Sequence, residues 1–102
     1  MYGEPLTGTG CDCRSGDWHL TTRECQVLPL IAAGMNNERI GQRLGISTRT
    51  VDQHVVTMRR RADAENRTEL VARCYAAGIL RSGVWPAAWT GRRCLAATRI
   101  WE

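Results

Sequence analysis

Between residues 20 and 80 the chain repeats one pattern four times: a side chain that caps a helix, a short apolar stripe at helical spacing, and a stop. Thr21, Asn36, Ser47 and Asn66 are the four starts, and Gly34, Gly45 and Gly78 supply three of the stops. An oxygen-bearing side chain at a helix start accepts a hydrogen bond from an amide of the first turn, and glycine tolerates the left-handed backbone that ends a helix. Helices of 8 to 15 residues are marginal alone in water, so four in succession must bury their stripes against one another. The chain is therefore expected to be all-α, a four-helix bundle.

The first helix is predicted over about 22 to 33. Thr21-Thr22-Arg23-Glu24 reads as a capping box, and Val27, Leu28, Ile31 and Ala32 form the inward stripe. Pro29 lies inside it, where its missing amide and its ring should kink the helix at the carbonyl of Cys25. Asn36 caps a second helix, about 37 to 44, with Ile40 and Leu44 inward. Leu44-Gly45-Ile46-Ser47 follows as a sharp turn, in which Gly45 takes a positive φ, Ile46 plugs the core and Ser47 caps the third helix. A fourth helix, about 67 to 77, begins after Asn66 and turns Leu70, Val71, Cys74 and Tyr75 inward.

The third helix, about 48 to 62, has two different stripes. Val51, Val55, Met58 and Ala62 recur at i, i+4, i+7 and i+11, and Arg49, Gln53, Val56 and Arg60 repeat that spacing on the other side. One stripe suits a core. The other suits base edges, because an Arg fork matches guanine, a Gln amide matches adenine, and a valine can touch a thymine methyl. Thr48, Thr50 and Thr57 can donate to phosphate oxygens, and Arg60 and Arg61 can neutralise phosphates at the helix's far end. The net charge of +4 agrees with an acidic partner, and double-stranded DNA is the first to consider. All fourteen basic residues are Arg, a usage that also fits a GC-rich coding bias.

The string Leu20-Thr21-x-Arg23-Glu24-x-x-Val27-Leu28-x-Leu30-Ile31-Ala32-x-Gly34, then Asn37, Ile40, Leu44-Gly45-Ile46-Ser47, Thr50-Val51, His54 and Asn66-Arg67-Thr68-Glu69-Leu70-Val71, closely resembles the LuxR-type (NarL/FixJ-like) DNA-binding domain. The resemblance covers about 60 residues without gaps. It implies a four-helix domain that activates or represses bacterial promoters, with the helix-turn-helix proper from about Asn37 to Val56. It also implies a homodimer through the fourth helix, bound to two half-sites. The expected DNA-binding set is Asn37, Thr48, Arg49, Thr50, Asp52, Gln53, Val56, Thr57, Arg60 and Arg61. Four positions depart from the family pattern: Asp52 stands where Lys is common, Arg39 for Glu, Gly41 for Ala, and Ala62 for a core Leu. Asp52 removes a cation from the reading face, although a carboxylate can accept from a cytosine amine. Gly41 should weaken the second helix by roughly 0.5–1 kcal/mol relative to Ala, and Ala62 should leave the core under-filled.

Outside this domain, taken as residues 19 to 80, the chain is expected to divide into a flexible N-terminal arm, 1 to 18, and a C-terminal tail, 81 to 102. The tail carries Trp85, Trp89 and Trp101 with Arg81, Arg92, Arg93 and Arg99, and a short helix is expected around 92 to 100. Its tryptophans are open to docking on the bundle, to contacting a partner such as RNA polymerase, or to disorder. Five cysteines, an odd number with no secretion signal, argue against a disulfide framework and for a cytoplasmic protein. With two histidines, His19 and His54, no metal site or cofactor is expected, and His54 is read as a hydrogen-bonded, half-buried residue. The Cys11–Cys13 pair leaves open a thiol- or metal-responsive regulator. A protein-interaction module is a further alternative. No nucleophile, base and orienting group occur together, so no enzymatic activity is expected. No stretch reaches the roughly 18 apolar residues of a membrane helix.

Overall fold

The computed structural model describes residues 19–95. The expected N-terminal arm, the Cys11–Cys13 pair, Arg99 and Trp101 lie outside the described residues. Four helices occur in the order α1 (Thr22–Ala32), α2 (Asn37–Leu44), α3 (Thr48–Ala62) and α4 (Arg67–Ala76).

Each start is chemically closed as anticipated. The Thr21 hydroxyl accepts from the Glu24 amide while the Glu24 carboxylate accepts from the Thr21 amide, completing the capping box. Asn36, Ser47 and Asn66 accept from the amides of Arg39, Thr50 and Glu69 at 2.8–3.0 Å. Gly45 ends α2 at φ 73°. α3 instead ends on Asp63, a non-glycine residue at φ 57°, with Arg59, Arg60 and Arg61 filling the last turn where the helix dipole favours cations. α1 continues past Pro29 to Ala32.

α3 touches each of the other three helices, and its stripe of Val51, Val55, Met58 and Ala62 is buried against them. Val27, Leu28, Ile40, Leu70 and Cys74 complete the centre, all fully buried. Leu44, Ile46 and Val71 pack at its edge. Gly41 has a role that its helix propensity hides. A Cβ there would stand 2.6 Å from the Ile46 carbonyl oxygen, so glycine lets the turn fold back onto α2. The Ile46 amide in return donates to the Gly41 carbonyl at 3.0 Å.

Two expectations are corrected. Tyr75, assigned inward, is 37% exposed. The buried residues of α4 are Leu70 and Cys74, continued by its C-cap Ala77 at i, i+4 and i+7, and Tyr75 lies one helical step off that stripe. The segment after α4 also docks irregularly on the bundle. Leu80 and Trp89 form an antiparallel bridge, with the Arg81 amide donating to Ala88 and the Thr90 amide to Ile79, each at 2.9 Å. His19 pairs in the same way with Cys94, and the Leu20 amide donates to the Arg93 carbonyl at 2.9 Å. Leu95 is fully buried. Residues 92–95 are therefore extended and not helical, because their backbone is committed to the strip before α1. The remainder of the expected helix, to residue 100, lies outside the described residues.

The tryptophans separate accordingly. Trp89 packs on the core edge, donates from its indole nitrogen to the Arg92 carbonyl at 2.7 Å, and carries the Arg93 guanidinium 5.6 Å from its ring centre. Trp85, beside a cis bond to Pro86, is 76% exposed.

Candidate nucleic-acid interface

The outer side of α3 forms a shallow open depression lined by Arg49, Asp52, Gln53, Val56, Thr57 and Arg60. These side chains share one face because α3 turns its opposite stripe into the core, which fixes the helix's rotation. Arg49, Gln53, Val56 and Arg60 run along the middle of that face and are exposed, Val56 at 51%. Thr57 is half-buried on one flank and Asp52 exposed on the other. At the amino end Thr48 is exposed, and the Thr50 hydroxyl is shared with that of Ser47 at 2.9 Å.

Besides Thr50, three residues of the expected set, Arg61, Asn37 and Asp52, have side-chain partners within the fold. Arg61 projects toward α1 and forms an ion pair with Glu24, whose side chain is only 3% exposed. Its charge neutralises a buried carboxylate, while the adjacent Arg60 stays on the exposed face. Asn37 is half-buried, its amide nitrogen donating to Asp52 Oδ1 and its amide oxygen accepting from Arg67. Arg67 also donates to the Met35 carbonyl at 3.0 Å. Neither the Glu24–Arg61 pair nor the Arg67–Asn37–Asp52 chain is visible in the sequence, since the partners are 15 to 37 residues apart. The one local hint was that Glu24 sits one step from an inward stripe.

His54 is half-buried, and no side-chain hydrogen bond to it occurs among the described residues, contrary to expectation. No cluster of three metal-ligating side chains occurs among the described residues. Cys25 and Cys74 are buried free thiols, pushed up to about 11 and about 12 mainly by burial, so both are protonated near neutrality and poor nucleophiles. Glu69, by contrast, is held below the usual carboxylate range by the Glu65 amide and by Arg73. No helix among the described residues is long and apolar enough to cross a membrane.

The arrangement offers guanidinium forks, an amide, a carboxylate and a methyl-bearing side chain on one open, shallow face. That combination suits the wide groove of a duplex better than an enclosed small molecule.

Comparison with known proteins agrees. Residues 19–74, more than half of the chain, match the model of the bacterial regulatory proteins of the luxR family. The chain is 40% identical over 62 residues to the quorum sensing-dependent transcriptional regulator RpaR of Rhodopseudomonas palustris, covering 61% of this chain and 26% of that protein. It is 36% identical over 74 residues to the oxygen regulatory protein NreC of Staphylococcus carnosus, covering 70% and 34%. With the transcriptional regulatory protein DegU of Brevibacillus brevis it shares 42% over 52 residues, 51% and 22% of the two chains. The matched stretch thus spans about a fifth to a third of these relatives. No solved structure gives a significant match.

Proposed function

The chain belongs to the luxR family of bacterial regulatory proteins, and from that membership we propose that it is a transcription regulator that binds duplex DNA, with α3 in the major groove. The observation that carries the reading is the exposed stripe Arg49, Gln53, Val56 and Arg60, backed by the buried stripe of the same helix. Affinity comes from phosphate contacts by Arg60 and by the hydroxyls of Thr48 and Thr57, and it falls with salt as counterions are released. Specificity comes from Arg49 and Gln53 at base edges. Asn37, Thr50 and Arg61, held by neighbours within the fold, contribute by shaping the interface.

The test is selection of bound fragments from a genomic library at two salt concentrations. A shared consensus is expected, and replacing Arg49 with Ala should relax it by about 1–3 kcal/mol at one base pair. Equal weakening on every sequence would sink the base-reading role.

Homodimerisation through α4 is part of the proposal. Support comes from the side of α4 turned away from the core, where Thr68, Ala72, Tyr75 and Ala76 are exposed and the two alanines permit close approach. A palindromic consensus with one helical turn between half-sites is the expected signature. A further contact with RNA polymerase is favoured by Trp85, since a solvated indole is a common anchor at protein interfaces. Trp85→Ala should then reduce promoter output without changing DNA affinity.

A further inference from the structure

Asp52 is the one acidic side chain lining the α3 depression, on a face that must approach phosphates if it binds DNA at all. Toward phosphates a carboxylate there repels. This one is held in place. Arg67 has donors and no acceptors, so the Asn37 side chain must turn its amide oxygen toward Arg67 and its amide nitrogen toward Asp52. The second guanidinium nitrogen of Arg67 is anchored on the Met35 carbonyl at 3.0 Å, so the chain starts from fixed backbone. Asn37 occupies one lone pair of Asp52 Oδ1 with a neutral donor. The carboxylate keeps its remaining acceptor sites, on a side chain that stays exposed.

We propose that Asp52 is a base-reading acceptor, positioned by Asn37 and Arg67, that selects cytosine at one position of each bound site. This rests on the DNA-binding reading above and adds to it the identity of one base. An ionised carboxylate only accepts hydrogen bonds. Guanine and thymine present acceptors at the heteroatoms of their major-groove edges, and adenine sets an N7 acceptor beside its amine, which an amide matches and a carboxylate does not. Cytosine presents its N4 amine without a flanking acceptor of its own, and so suits Asp52 best. At every other base the carboxylate remains unmatched, so it gives discrimination by penalising wrong sequences as well as by rewarding the right one.

The experiment takes the full chain and its selected duplex, replaces each base pair in turn, and measures binding of wild type, Asp52→Ala, Asp52→Asn and Asn37→Ala at one salt concentration. Wild type should prefer cytosine at one position by about 5- to 150-fold, the range of a good base contact. Asp52→Ala should bind non-cognate duplexes more tightly and lose that preference while keeping the others. Asp52→Asn should move the preference toward adenine. Asn37→Ala, with melting measured alongside, should weaken the preference at that one position and leave Arg49-dependent discrimination intact, a selectivity that general loosening would not produce. The proposal is overturned if the Asp52 variants shift affinity by one common factor on all duplexes while wild type still discriminates elsewhere. Wild type without preference at any position would overturn the DNA-reading function together with it.

Discussion

The helix-turn-helix, α2 through α3, and the segment from Ile79 to Leu95 bury comparable anchors by different means. In the first, Ile40, Val51, Val55 and Met58 enter the core at helical intervals, and every start has its cap. In the second, Ile79, Leu80 and Leu95 are just as buried but are spaced irregularly, held by two isolated bridges and by the Thr90 hydroxyl, which donates to the carbonyls of Gly78 and Ile79. Periodic burial is encoded over four residues. Aperiodic burial depends on where a distant part of the chain happens to lie.

The comparison can be broken most directly at its anchors. Ile40→Ala and Leu95→Ala each remove a fully buried side chain and should each cost about 2–5 kcal/mol in denaturant unfolding. A loss below about 0.5 kcal/mol for Leu95→Ala, the range of ordinary surface changes, would mean that the segment is an appendage. Arg61→Ala comes next. It strands the Glu24 carboxylate, and about 3 kcal/mol is expected, the low end for a broken buried pair because 26% of the Arg61 side chain remains in water. Recovery in Glu24→Gln/Arg61→Met would identify the stranded charge as the cause.

A third test uses pH. Cys25 and Cys74 ionise at a higher pH in the folded protein than in the unfolded chain, so the folded state holds their protons more tightly. Their contribution is complete below about pH 9 and is lost as pH rises toward 11 to 12. Alkaline titration of the unfolding free energy should show that decline, flattened in the Cys25→Ala and Cys74→Ala variants. The smallest contrast sets a cap against the loop tip. Ser47→Ala should cost about 1 kcal/mol, whereas Trp85→Ala, at a side chain 76% exposed, should stay within about 0.5 kcal/mol.

Much of the bundle was legible because its rules are local. Thr21, Asn36, Ser47 and Asn66 announced the helix starts, and the two stripes of α3 announced its buried and exposed sides. Tyr75 was misassigned because a four-residue apolar cluster on a short helix leaves its rotation undetermined by one step. The docked course of residues 92–95 was misread as helix because Arg92-Arg93-Cys94-Leu95 has no local feature opposing helix, and its true partners, His19 and Leu20, lie some 70 residues earlier. At the candidate site the exposed face of α3 was legible and the division of labour within it was not. Arg60 and Arg61 are adjacent and chemically identical, and only the fold gives one to solvent and the other to Glu24.

The bridge between His19 and Cys94 joins positions at opposite ends of the described chain. Closing so long a loop gains nothing until the helices between have drawn its ends together, so this contact is expected to form late in folding, after the transition state. Weakening it should therefore leave the refolding rate nearly unchanged and accelerate unfolding. The clasp would then act as a timer on the native state, setting how long the bundle stays closed once formed.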